Sequence, residues 1–118
     1  KILKKNYAKF DYFYLHFKET DLPGHDNKPL EKKEMIEMLD KYFFSKLLKF
    51  QKKKEFKIIV TGDHSTPCIK SAHSADPIPL LISEGWKNAD KLNFCEKICL
   101  QTKNKLYGKD LLKTAGFE

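Results

Sequence analysis

An apolar run, Phe56-Lys57-Ile58-Ile59-Val60, breaks off at a glycine and opens into Thr61-Gly62-Asp63-His64-Ser65-Thr66-Pro67. No other stretch of the chain is so restrictive. A β-branched run of this kind reads as a buried strand, and the glycine after it releases a carboxylate and an imidazole side by side into a loop. Asp21-Leu22-Pro23-Gly24-His25 stands in the same relation to an earlier apolar run, and His73 follows within the loop that Asp63 opens. Three of the four histidines therefore fall in polar loops, each close to an aspartate. In an open α/β sheet, functional groups collect outside the carboxyl ends of strands, so the fold itself can bring these side chains together.

The rest of the chain fits a small α/β domain. Its 118 residues are enough for one compact unit with a core. Asp11 to Phe17, aromatic and nearly continuously apolar, reads as a first strand covered on both faces. His16 lies inside that run and is expected to be a satisfied core residue. Residues 18 to 29 form a loop. Pro29 suits the first turn of a helix running from about residue 29 to 51, where Ile36, Leu39, Phe43, Leu47 and Phe50 draw one apolar stripe. Pro77 to Ile82 reads as a third strand, its two prolines marking an edge or an irregular start. No helix fits between the second and third strands. A parallel return needs a crossover of about a dozen or more residues, usually helical; a long loop can instead bring the chain back antiparallel, giving a mixed sheet. Trp86 is placed at the rim of the core, and short helices are expected at residues 94 to 101 and 108 to 114. The fold class that results is α/β, a mixed and mostly parallel sheet flanked by helices.

Composition narrows the partners. The formal net charge is +7, yet all 23 basic residues are lysine. Nucleic-acid readers lean on arginine forks, so the excess is read as solvated surface and no nucleic-acid partner is expected. No apolar run approaches the length of a bilayer span. The opening Lys1-Ile2-Leu3-Lys4 has neither an initiator methionine nor the apolar stretch of a signal peptide. The chain is therefore expected to begin inside a longer protein and to reside in the cytoplasm, with Cys68, Cys95 and Cys99 as reduced thiols.

Asp21, His25, Asp63, His64 and His73 form the candidate site. Carboxylate and neutral imidazole together suit Mn²⁺, Zn²⁺ or another divalent ion of similar character. Five such donors are more than one catalytic ion takes from protein. Two ions roughly 4 Å apart would use them better, gripping the attacking and leaving oxygens of a phosphoryl transfer. The plain alternative is a set of ordinary polar loop residues, against which the combination of three spaced motifs weighs heavily.

The blocks Asp21-Leu-Pro-Gly-His25-Asp26, Thr61-Gly-Asp-His-Ser-Thr-Pro-Cys68 and Ala72-His-Ser-Ala-Asp-Pro-Ile-Pro-Leu-Leu81 resemble the C-terminal motifs of the archaeal-type, 2,3-bisphosphoglycerate-independent phosphoglycerate mutases, members of the alkaline phosphatase superfamily. The resemblance runs in order from about Tyr12 to Leu112. It implies that residues 1–118 are the C-terminal metal-ligand segment of an alkaline phosphatase-like domain. It implies one metal on Asp21, His25 and His73 and a second on Asp63 and His64, the ions being manganese, zinc or magnesium. In the family an aspartate and a nucleophilic serine from the N-terminal part complete the second site, and that serine carries the phosphoryl group between the 2- and 3-hydroxyls of phosphoglycerate. No segment of this chain matches the nucleophile block. The family's substrate-gripping arginines also have no counterpart here, so the remaining N-terminal part of the enzyme is the expected partner, phosphoglycerate the expected substrate, and this chain alone is expected to be inactive. Ser65 is read as a loop residue, and Cys68 as a buried thiol. Lys18 is either a phosphate contact or solvated. Asp26 and Asp76 either orient metal-bound histidines or belong to surface turns. Two rival readings stay open: another phosphatase or phosphomutase of the same superfamily, and an inactive basic fragment that binds a partner.

Overall fold

The computed structural model describes residues 1–83, 93–102 and 104–117. The chain opens with a short helix, α1 (Ile2–Asn6). A stretch without helix or strand follows, and a single helical turn, α2 (Asp21–His25), then starts at the first candidate ligand. From Pro29 the backbone is helical to Gln51, in three successive pieces: α3 (Pro29–Met38), a π-helical segment (Leu39–Phe44) and α4 (Ser45–Gln51). The proline at the first position of α3 costs nothing, because its missing N–H would have had no partner. The strands are β1 (Ile58–Thr61) and β2 (Leu80–Ser83), and short helices α5 (Glu96–Gln101) and α6 (Leu111–Thr114) close the chain.

β1 and β2 pair antiparallel, Ile58 opposite Ser83 and Thr61 opposite Leu80. The long loop between them does bring the chain back antiparallel. Two expectations of the sheet are corrected. Among the described residues there are two strands and no parallel pair, so a mostly parallel sheet is not seen among them. Residues 11 to 17 are not a strand either. The apolar pattern of a doubly covered strand specifies only what its faces want. A strand also requires a partner to complete its backbone hydrogen bonds, and no described residue forms a β-bridge with this stretch, whose Tyr12 and Tyr14 stay exposed. Trp86 falls outside the described residues. No described helix is long and apolar enough to cross a membrane.

Packing between the helical arm and the β-pair is aromatic. Tyr7, Phe50 and Phe56 meet with centroids 5.3–5.8 Å apart, and Phe43 packs edge-on against Phe17 at 4.8 Å. The apolar stripe of the long helix is half-buried at Leu39, Phe43, Leu47 and Phe50, but Ile36 is exposed. At the end of α4 the buried Gln51 donates to the Phe56 carbonyl at 2.8 Å and to Ser83 Oγ at 3.2 Å. One side chain thus ties the helix to both strands at the open end of the hairpin.

The contact that matters most for the site is the seat of α2. Gly24 is buried, and a Cβ there would lie 2.7 Å from the Thr66 carbonyl oxygen and 3.0 Å from its methyl. Backbone oxygen cannot retreat as a flexible side chain can. Gly24→Ala is expected to lower stability by about 1–3 kcal/mol through overpacking, whereas Gly108→Ala, with nothing within 4 Å of its Cβ, is expected to be near neutral. Urea unfolding of the two variants checks this; equal midpoints would contradict the seat described.

Candidate metal centre

The turn α2 presents Asp21 at its start and His25 at its end, four residues apart and so on one face. The turn departs from the plain loop expected over residues 18 to 29. Asp63 and His64 follow β1 after a single residue, Gly62. An isolated antiparallel bridge joins Ser65 to Ser74, with the Ser74 N–H donating to the Ser65 carbonyl at 2.9 Å. Residues flanking that antiparallel bridge project to one face, so His64 and His73 meet there diagonally across the loop. Their rings stack at 3.7 Å.

The donor atoms converge. His25 Nε2 lies 3.1 Å from His73 Nε2, Asp21 Oδ1 lies 3.5 Å from His25 Nε2, and Asp21 Oδ1 lies 3.7 Å from His73 Nε2. Asp21, His64 and His73 also offer ligand atoms within 4.8 Å of one another. Asp63 stands beside them, its Oδ2 3.5 Å from His64 Nε2. All five sequence-predicted residues are thus neighbours.

Hydrogen bonds fix which nitrogens are free. His25 Nδ1 faces the Ser71 carbonyl at 3.2 Å. A carbonyl only accepts, so Nδ1 carries the proton and Nε2 of the neutral ring keeps a lone pair aimed at Asp21 and His73. Ser71 holds this position with a left-handed backbone, φ 47°. Thr66 does the same for His64. Its hydroxyl donates to Asp21 Oδ1 at 2.8 Å and therefore receives the His64 Nδ1–H at 3.0 Å, leaving His64 Nε2 as the lone-pair nitrogen. The lone pair of His25 Nε2, the Asp21 carboxylate oxygen and His73 Nε2, at separations of 3.1–3.7 Å, make a triangle that needs a proton or a cation within it. Ligands at about 2.0–2.2 Å from a shared ion stand at similar spacings. The donor set fits a divalent cation.

Some secondary expectations change. Asp76 turns to Ser74 Oγ at 2.6 Å and Lys70 Nζ at 3.0 Å, and Asp26 lies nearest Lys28. Neither backs a histidine; a backbone carbonyl and a threonine do that instead. Cys68 Sγ points at the Pro23 carbonyl, 3.8 Å away, as a half-buried loop thiol. Lys18 lines, with Glu19, Asp21 and Leu22, a cavity of about 340 Å³ next to the first ligand turn. His16, expected in the core, is half exposed and stands 3.7 Å from Asp63. No pattern in the sequence would have placed it there.

Several comparisons bear on this arrangement. The family described as the Metalloenzyme superfamily matches residues 1–107. The chain is 44% identical over 93 residues to a protein of Thermococcus kodakarensis named 2,3-bisphosphoglycerate-independent phosphoglycerate mutase, covering 78% of this chain and 22% of that relative. A Pyrococcus horikoshii protein of the same name is 48% identical over 81 residues, covering 69% and 19%. The solved structure of the PH0037 protein from Pyrococcus horikoshii superposes with a TM-score of 0.84 at 38% identity, over 94% of this chain and 34% of that one. The chain spans about a fifth of the length of these two curated relatives.

Asp21 is held ionised chiefly by the Thr66 hydroxyl, with the histidines adding to the effect and burial opposing it; its pKa lies below the ordinary 3.8. A depressed carboxylate stabilises the fold fully above the unfolded value, and that contribution is lost as pH falls through the lower folded value. In metal-free protein, the stability advantage of wild type over Thr66→Val is therefore expected to be largest above pH 3.8 and to shrink below it. Urea midpoints measured across that range check the sign; an advantage that grows on acidification would contradict it.

Proposed function

We propose that this chain, which belongs to the Metalloenzyme superfamily, supplies the metal-holding face of a cofactor-independent phosphoglycerate mutase that interconverts 2- and 3-phosphoglycerate. The observation that carries the reading is the Asp21, His25 and His73 triangle. It lies inside the sequence blocks that resemble the mutases. Asp21, His25 and His73 would hold one divalent ion, and Asp63 with His64 a second. Bound there, two such ions would supply positive charge to the attacking and leaving oxygens of a phosphoryl transfer. Manganese, zinc and magnesium are the candidates.

The chain's own residues do the positioning. Thr66 fixes the orientation of Asp21 and His64 together. Ser71 orients His25 through its carbonyl. Lys18, beside the cavity at Asp21, offers a cation to an anionic substrate at the edge of the site. A nucleophilic serine, a further aspartate and the substrate-gripping arginines would come from the N-terminal part of the enzyme, which makes residues 1–118 the C-terminal metal-ligand segment. The exposed Phe10, Tyr12, Tyr14 and Leu15 support such a neighbour, since apolar surface of this kind favours being covered. On this reading the chain alone is inactive.

The test compares the protein that carries this sequence with its Asp63→Ala and His64→Ala variants. Wild type is expected to bind about two ions and to interconvert the phosphoglycerates, and each variant is expected to lose the second ion and the activity. Phosphate release without interconversion would favour a phosphatase of the same superfamily. Absence of metal binding would sink the reading.

A further inference from the structure

Asp21 and Asp63 are held very differently. Asp21 receives a hydrogen bond from a buried threonine hydroxyl. The Asp63 side chain is 56% exposed. Among the described residues its Oδ1 accepts just the N–H of the next residue, His64, at 3.0 Å. That bond is local to the turn and leaves Oδ2 to be oriented by whatever faces it. Two imidazoles do: His64 Nε2 at 3.5 Å and His16 Nε2 at 3.7 Å. His64 Nε2 is the lone-pair nitrogen, as its bond to Thr66 dictates, so it repels the carboxylate oxygen in the absence of a cation. His16 is under no such constraint. Its Nε2 is free to carry the proton and to donate.

We propose that His16 is a positioning residue for Asp63, its Nε2–H holding Oδ2 so that the carboxylate stays turned toward the ion it would share with His64. The proposal rests on the reading of Asp63 as a ligand. The present separation exceeds a hydrogen bond of about 2.7–3.2 Å by roughly half an ångström, a closure open to an imidazole that is itself half exposed. Carboxylates that bind metals are in general held by such outer hydrogen bonds, and among the described contacts of Asp63 His16 is the only side chain able to supply one. The residue comes from the stretch before α2, whereas Asp63 comes from the turn after β1. The bond would therefore also tie the two segments that carry the ligands.

Mn²⁺ titration calorimetry on the protein that carries this sequence tests the proposal, using wild type, His16→Ala and His16→Gln. The glutamine amide nitrogen sits close to where imidazole Nε2 was. His16→Ala is expected to weaken one of two binding steps about 10- to 100-fold, to leave the other step and the metal-free unfolding midpoint unchanged, and to be largely rescued by His16→Gln. Two wild-type steps in His16→Ala would overturn the proposal while leaving the metal centre standing. So would equal weakening of both steps, or a glutamine variant no better than alanine. A wild-type protein that takes up no Mn²⁺ would overturn both.

Discussion

Thr66 is the residue on which the site depends. It is 95% buried, with 5% of its surface exposed. Its hydroxyl donates to Asp21 and receives from His64, and its carbonyl receives the Lys32 ammonium at 2.8 Å. The same carbonyl faces Gly24, where there is no room for a side chain. One residue thus joins the turn bearing Asp21 and His25 to the loop bearing Asp63 and His64, and it settles which nitrogen of His64 is free. A serine would keep the hydroxyl but lose the methyl that packs on Gly24; a valine would keep the shape and lose both hydrogen bonds. The hydroxyl can serve two partners because it donates once and accepts at the same time.

The β-pair and the long helical arm serve that junction. β1 ends one glycine before Asp63, and the antiparallel return to β2 requires a loop long enough to fold back on itself. The Ser65 to Ser74 bridge closes the loop and stacks His73 on His64. Gln51 and the Tyr7, Phe50 and Phe56 cluster fix the helical arm against the other end of the strands. The positive charge is spread over lysines that mostly reach solvent. Lys32 is the exception that touches the junction itself.

Much of this was legible in the residues. Spacing singled out Asp21, His25, Asp63, His64 and His73, because Asp-x-x-x-His, Gly-Asp-His and a third histidine close by are together much rarer than any one acid–imidazole pair. The helix from Pro29 to Gln51 followed from its three-four apolar step, although the pattern could not distinguish an α-turn from the π-turn at Leu39–Phe44. The antiparallel return was left open by the absence of a crossover helix. What could not be read were features set by through-space partners. Residues 11 to 17 have a strand's composition, but pairing depends on a neighbour. The turn at Asp21 is too short to show a period. The nearness of His16 to Asp63, and of Thr66 to Asp21, joins residues more than forty positions apart. No local rule encodes such contacts, whereas each ligand motif is local and therefore visible.

The central claim is that these five side chains hold two ions and not one. It is tested most directly by anomalous X-ray scattering from crystals of the protein grown with Mn²⁺. The account predicts two peaks about 4 Å apart, one bound by Asp21, His25 and His73 and the other by Asp63 and His64. A single peak shared by Asp21, His64 and His73, or no peak among these residues, would contradict it.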